Sequence, residues 1–431
     1  MHKIALLLTL FSPLMLSGQA ILSLEDAVGF ALEKNYGIQI ARLEQTAAET
    51  QVYRANAGMG PVIDWNANFN AGVNNANQTF LDGRNVSRFG RNWAPNTNIS
   101  LGWTLYDGGR MQATYEKLGA LSEYSTLQGK VLIQNTVAQV MEAYYLVVLQ
   151  KERLEYLNTV IKYYEERLKI TEERWQVGQG SKLDFLQSKT DLNAQLSALT
   201  TASNDLKNAK VFLNSLLNRD ANTEFEVAEQ MVNDNIYDIN NLVELAKVKN
   251  RDLVLLDKAI NISSITEQEV EAAKRPQVNF NSSLGYSYTN SNTGFLLSNR
   301  NVALSAGFSA RWNLYNGNHT RKQIDLARIN TTIVNKQREE LLNQIIADLT
   351  IAYNQYISDQ ELLDFEEENK VLAEENLSIS LEKFKLGASS ILELNEAQRA
   401  FDTALNRLVN AQFNVRIAEL ELLRLSGSLV N

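Results

Sequence analysis

The sequence predicts a mainly α-helical protein with a β-barrel part. It reads as a tandem strand–strand–helix repeat, with four strands and long coiled-coil helices in each chain. Three features of the 431 residues point there. A set of motifs recurs at a fixed spacing. Four stretches alternate strictly between apolar and polar residues. Only four prolines are present, which leaves room for very long helices.

Composition narrows the chemistry. Hydrophobic residues make up 45% and charged residues 21%, enough apolar surface for a large core. There is no cysteine, which excludes disulfides, thiolate metal sites, a cysteine nucleophile and a lipid-modified N-terminal cysteine. Two histidines, His2 and His319, cannot build a histidine-rich metal site. A formal charge of −9 argues against nucleic-acid binding, which needs a basic surface.

Residues 1–20 read as a cleaved secretory signal. Lys3 gives a positive start, Ile4 to Leu16 an apolar run, and Gly18 and Ala20 the small residues of a cleavage site. No later stretch reaches the ~18 apolar residues of a membrane-spanning helix.

Two copies of one unit follow. Leu105-Tyr106-Asp107-Gly108-Gly109-Arg110 recurs as Leu314-Tyr315-Asn316-Gly317-Asn318-His319, 209 positions later. Ala143-Tyr144 recurs as Ala352-Tyr353, and Val177-Gly178 as Leu386-Gly387, at the same offset. Asn35 and Pro61 match Asn250 and Pro276 at an offset of 215. The difference falls between the proline and the Leu-Tyr motif, where a variable surface loop is expected. The repeats are assigned to 21–225 and 238–431, with a polar joint over 226–237.

Each repeat opens with a helical stretch, 24–58 or 239–274. Strands are expected next, over 62–73 and 97–105, then over 277–288 and 301–314. In the first, Ile63, Trp65, Ala67, Phe69, Ala71 and Val73 alternate with Asp64, Asn66, Asn68, Asn70 and Gly72. In the last, Val302, Leu304, Ala306, Phe308, Ala310, Trp312 and Leu314 share the apolar side. The connections 74–96 and 290–300 are rich in Asn and Gly, as exposed loops would be. Such strands suit a sheet on a soluble core, or a transmembrane barrel with its apolar side in lipid. Small uncharged residues on the polar side favour the barrel. So do Trp65, Trp103, Tyr286, Tyr288 and Trp312, because aromatics collect at bilayer interfaces. Four strands cannot close a barrel, and open edges in lipid leave backbone groups unpaired. Three chains would supply twelve strands.

Helical spacing resumes over 110–177 and 318–386. Val137, Val140, Tyr144 and Val147, then Leu154, Leu157, Ile161, Tyr164 and Leu168, recur every three or four residues, a coiled-coil seam. At ~1.5 Å per residue such a helix is roughly 100 Å long. Glycine turns at Gly178 and Gly387 reverse the chain into helices over 181–217 and 389–426.

On these motifs the chain resembles the TolC family of outer-membrane efflux and secretion channels. The doubled order, the Leu-Tyr-Asp-Gly-Gly-Arg strand exit, Asn35 and Asn250, and the turn glycines followed six residues later by Asp184 and Glu393 carry the likeness. The resemblance implies a homotrimer in the cell outer membrane. Its twelve-stranded barrel would sit in lipid and its helical tunnel in the periplasm. A periplasmic adaptor (membrane fusion protein) and an inner-membrane pump would be its partners, with no nucleic acid and no cofactor. Glu393, Glu396 and Asp184 fall where the family places acids at the periplasmic mouth. Gly178, Leu183, Leu186, Gln187, Gly387, Ile391 and Leu394 fall in the turn region that meets the adaptor. Ser389 and Phe384 replace an Arg and a Tyr that hold the mouth shut in some relatives.

No catalytic constellation is visible, and the glutamate clusters on the long helices read as solvated faces. Small-molecule efflux is the expected function. A type I protein secretion outlet uses the same fold. A periplasmic coiled-coil adaptor is the alternative of a different class.

Overall fold

The structure, a computed structural model, describes residues 21–228, 231, 235–293 and 296–430. The expected signal over 1–20 lies outside the described residues. The first repeat runs β1 (Ile21–Leu22), α1 (Leu24–Lys34), α2 (Tyr36–Gln51), β2 (Val62–Thr79), β3 (Asn85–Tyr106), α3 (Arg110–Gln176) and α4 (Lys182–Leu216). After β4 (Glu226–Val227) come α5 (Ile239–Lys249), α6 (Arg251–Glu271), β5 (Gln277–Ser291), β6 (Ser298–Arg311), α7 (His319–Lys385) and α8 (Ile391–Ser426).

These elements form two compact units, each taking segments from both repeats. A helical unit is drawn from 21–41, 130–251 and 342–430, and a strand unit from 42–129 and 252–341.

The long helices match expectation: α3 and α7 each hold 67 residues, about 100 Å of helix. Their starts are set by the repeated motif. The Asp107 carboxylate accepts the Met111 N–H at 2.9 Å, and Asn316 Oδ1 accepts the Thr320 N–H at 3.4 Å. Both satisfy donors that a helix start leaves free.

The stretches 24–58 and 239–274 are not single helices. Each breaks at the repeated asparagine, where Asn35 (ψ 126°) and Asn250 (ψ 122°) leave the helical region. Asn35 closes α1 by donating its N–H to Ala31 C=O, and it caps α2 by accepting the Ile38 N–H. Its side-chain amide also reaches Leu216 C=O at 2.9 Å, at the end of α4. Asn250 makes the equivalent bond to Leu425 C=O at 2.9 Å, near the end of α8. Apolar spacing runs through both breaks, which hides them from sequence periodicity.

The core of the helical unit lies among α1, α3, α4 and α8, around Tyr144, Leu213, Leu217, Phe225 and Phe401. The expected polar joint is partly inside it. Val227 and Met231 are buried there, and β4 pairs in parallel with β1. Tyr144 anchors this strand pair. Its hydroxyl donates to Leu22 C=O at 3.0 Å and accepts the Ala228 N–H. Arg167 is fully buried as well. It donates to Asp191 at 2.5 Å and to Gln398 at 2.7 Å, tying α3 to α4 and α8.

In the strand unit, α6 packs on the first turns of both long helices. Glu269 accepts from Lys117 and Thr114 of α3, while Glu267 accepts from Arg328 of α7 at 2.7 Å. The sheet beside it has the order β2-β3-β5-β6, antiparallel throughout. Its first hairpin is longer than alternation alone indicated. β2 and β3 stay paired up to Thr79 opposite Asn85, through most of the segment expected as a loop. Asn74, Asn75, Asn77 and Gln78 make both faces polar there, so the period disappears while the backbone ladder continues. β6 ends at Arg311, three residues before the expected 314.

Candidate functional site

Cross-strand register decides what each side of the sheet can do. Directly opposed residues share a face. Trp65 opposes Ile99, Ile99 opposes Leu284, and Leu284 opposes Leu304, giving one apolar row across all four strands. Trp103, Phe280 and Phe308 make a second row across three. The other face carries Asp64, Ser100, Ser283 and Ser305 in one row, and Asn68, Asn96, Ser287 and Asn301 in another. The apolar side chains stand exposed in the single chain, Leu304 and Phe308 among them. Among the described residues, β2 and β6 each pair on one side only.

Aromatics mark the two rims of this apolar band. At one rim, Trp103 Nε1 donates to Met59 C=O at 3.0 Å, and Trp312, just past β6, donates to Lys274 C=O at 3.0 Å. At the other, the Trp93 and Tyr288 rings meet at a tilt of 54° with centroids 4.9 Å apart, and Arg300 lies over the Tyr288 ring at 5.5 Å. Trp93 and Trp103 are about 34 Å apart along β3, or roughly 26 Å across a bilayer at a tilt of ~40°. The apolar band of outer-membrane barrels is ~25 Å tall. Tyr286 lies one same-face step inside Tyr288. Trp65 opposes Ile99, four residues along β3 from Trp103, and donates its indole N–H to Thr97 Oγ1 at 2.8 Å. Among the described residues, no helix is long and apolar enough to cross a membrane.

The two turns of the helical unit share one construction. Gly178 (φ 76°) and Gly387 (φ 73°) take the left-handed conformation that ends α3 and α7. Gln179 N–H then bonds Arg174 C=O, and Ala388 N–H bonds Lys383 C=O, both at 2.8 Å. Ser181 and Ser390 cap the returning helices through the N–H groups of Leu183 and Glu393. Asp184 and Glu393 therefore fall in first turns, where the helix dipole favours acids.

Among the residues singled out from the sequence, Glu393 and Glu396 are exposed, three apart on α8, and Asp184 is half-buried. Leu183 and Leu186 are exposed and Ile391 is half-buried. Gln187 donates its amide to Asp191 at 2.8 Å. Leu394 is fully buried in the core, so it supports the turn from beneath and presents no surface. The resemblance placed it with its neighbours but could not say which side of α8 packs inward.

Val177 and Leu386, which the repeat places beside the turn glycines, are strongly exposed, as is Leu392, which sequence reasoning missed. It also missed Arg174. This guanidinium donates to Phe384 C=O and lies over the Phe384 ring at 4.6 Å, joining the end of α3 to the last turn of α7. Lys385 adds an ion pair to Glu166 at 2.6 Å; Glu166 and Glu382 together hold its ammonium pKa above the usual lysine range. The turns of one chain are thus tied together although Ser389 and Phe384 lack the expected Arg and Tyr. The one sequence hint was the place of Arg174, four residues before Gly178.

Comparison with known proteins agrees with this architecture. Residues 28–219 and 242–428 match the family described as outer membrane efflux protein. Outer membrane protein TolC of Escherichia coli (strain K12) is 22% identical over 352 residues, covering 78% of this chain and 70% of that protein. Among solved structures, the outer-membrane channel OprN superposes with a TM-score of 0.76 at 18% identity, over 94% of this chain and 90% of that one. The outer membrane protein VceC of Vibrio cholerae gives 0.74 at 15% identity, over 94% and 96%. The CmeC outer membrane channel of Campylobacter jejuni gives 0.75 at 15% identity, over 94% and 85%. The chain belongs to the outer membrane efflux protein family, passive channels of the outer membrane rather than enzymes.

Proposed function

We propose that three copies of the chain close their sheets into one twelve-stranded barrel, with their helices forming a tunnel into the periplasm. The assembly is a passive exit duct for small molecules. A periplasmic adaptor and an inner-membrane pump load it and supply the energy. The observation that carries this reading is the apolar row across four strands whose outer edges are both open. Each unpaired backbone group at such an edge costs several kcal/mol in hydrocarbon, so further copies must cover it. The exposed Val177, Leu183, Leu386 and Leu392 support the helix turns as the adaptor contact.

Glu393 and Glu396 would form two acidic rings at the mouth of the trimer and favour cations. Planar-bilayer recordings test this. Changing both to Gln should lower cation selectivity and leave stability within about 0.5 kcal/mol, as expected for exposed positions. Unchanged selectivity rejects the rings. Liposomes holding the same variant should leak small solutes, and absence of leakage counts against a pore.

A further inference from the structure

We infer that Arg91 and Arg300 are twin docking points for the phosphate groups of outer-leaflet lipids. This rests on the barrel reading above and adds to it what the lipid-facing side of the sheet recognises.

The two arginines occupy one position of the repeat. Arg91-Asn92-Trp93-Ala94 recurs as Arg300-Asn301-Val302-Ala303, at the same offset of 209 that relates the Leu-Tyr motifs. Cross-strand pairing sets both on the apolar side, because Arg91 opposes Val73 and Arg300 opposes Tyr288. A cation on that side is strongly disfavoured at the bilayer centre and tolerated only near an interface. The duplicated chain nevertheless carries one in each half.

Their depth shows what they meet. At the rim near the helices, Trp103 and Trp312 donate to Met59 and Lys274 C=O, both at 3.0 Å. Those two carbonyls are themselves equivalent, at the offset of 215. Both repeats are thus anchored to this rim in the same way. Arg91 lies twelve residues before Trp103, and Arg300 twelve before Trp312. In each repeat this is roughly 41 Å of strand, or about 31 Å across a bilayer at a tilt of ~40°. The apolar band takes ~25 Å of that, and the remaining ~6 Å falls within the headgroup layer. On the barrel reading the hairpin ends, remote from the helices, face the exterior, so this layer belongs to the outer leaflet.

The charges at this rim have little to balance them within the chain. Both arginines are exposed, and among the described residues neither guanidinium pairs with a carboxylate. Arg300 lies over the Tyr288 ring at 5.5 Å, and the Arg91 backbone is pinned by donating its N–H to Asn292 Oδ1 at 2.8 Å. The segments 74–96 and 289–302 contain Arg84, Arg88, Arg91 and Arg300 but a single acid, Asp82. Arg84 takes that acid at 2.7 Å. A chain of formal charge −9 therefore presents a positive outer rim. Phosphates crowded into one leaflet repel one another and need cations between them. A guanidinium is a fixed cation that can fork onto a phosphate with two N–H bonds.

Arg88 supplies the control, since it opposes Ala76 and stands on the other face of the same hairpin. Purified protein in detergent, titrated with diphosphoryl lipid A and read by native mass spectrometry, should bind the lipid. Arg91→Gln with Arg300→Gln should weaken binding at least about tenfold, as expected for two basic residues at a lipid surface. Either change alone should leave the other docking point occupied. Arg88→Gln should stay within about twofold of wild type. The same lipid stripped of its phosphates should bind wild type no better than the intact lipid binds the double variant. Absence of lipid binding to wild-type trimers, equal binding by the double variant, or an equal loss in Arg88→Gln overturns the docking points. Indifference to the phosphates does so too. Saturation by inorganic phosphate as readily as by the lipid assigns the site to a free anion and overturns lipid docking. The same spectra report assembly. Trimers that ignore the phosphates overturn this inference alone, whereas a monomeric mass overturns the barrel reading beneath it.

Discussion

The helical unit and the strand unit treat their apolar side chains in opposite ways. The first hides them: Tyr144, Leu213, Phe225 and Phe401 are fully buried, and even Arg167 is enclosed with its partners. The second displays them. Trp65, Phe69, Leu304 and Phe308 stand exposed on one face of a single sheet among the described residues. Burial contributes about 25 cal/mol per Å² of apolar surface, so the helical unit gains this within one chain in water. On the proposed reading, the sheet gains it from hydrocarbon and satisfies its edges from other copies. One sequence therefore contains a unit with its own core and a unit that its surroundings complete.

The contrast can be broken from either side. The largest effect is expected inside the helical unit. Arg167→Ala should cost about 3–5 kcal/mol, since it leaves Asp191 and Gln398 without their buried partner. Denaturant unfolding followed by helical signal reads this, and a loss under 1 kcal/mol would mean that the cluster rearranges freely. On the sheet, Leu304→Arg should cost about 2–4 kcal/mol of stability in lipid, as a cation placed on a lipid-facing strand does. Ser305→Arg, on the polar face of the same strand, should cost well under half of that. Equal penalties would erase the distinction between the faces.

A smaller, pH-dependent effect is expected at the α3–α6 contact. Burial of the Glu269 carboxyl works to raise its pKa, but hydrogen bonds from Lys117 and Thr114, with the Lys117 charge, outweigh it and leave the pKa below the ordinary 4.5. A lowered folded-state pKa stabilises the ionised form. The contribution is therefore fully present above pH 4.5 and is lost as pH falls through the folded pKa. Glu269→Gln should remove it, by about 1 kcal/mol or less, and flatten the stability profile across that window. A variant with the wild-type acid dependence would show that other carboxylates control it.

Much of this was legible in the sequence because it rests on local rules. Period-two alternation identified all four strands, and Gly178 and Gly387 marked the chain reversals that end the long helices. The helix breaks were not predicted: Asn35 and Asn250 stood out only as repeated residues, and the bonds that tie them to the distant Leu216 and Leu425 carbonyls appear only in the fold. The upper half of the first hairpin was missed because a ladder needs no apolar side chains to persist. At the turns, Glu393 and Glu396 were singled out only through the resemblance to the family, whereas Arg174 was one arginine among many until its contact with Phe384 was seen. Leu394 and Leu392 look alike in sequence, and only packing separates the buried one from the exposed one.

Whether the greasy side of the sheet touches lipid can be measured residue by residue. Single cysteines placed in turn from Val302 to Ala310 of β6, in native membranes, would be exposed to a thiol reagent that cannot enter the bilayer. Positions 303, 305, 307 and 309 should react, and 302, 304, 306, 308 and 310 should be protected until detergent or denaturant removes the lipid. Equal reactivity along the whole strand would contradict the account.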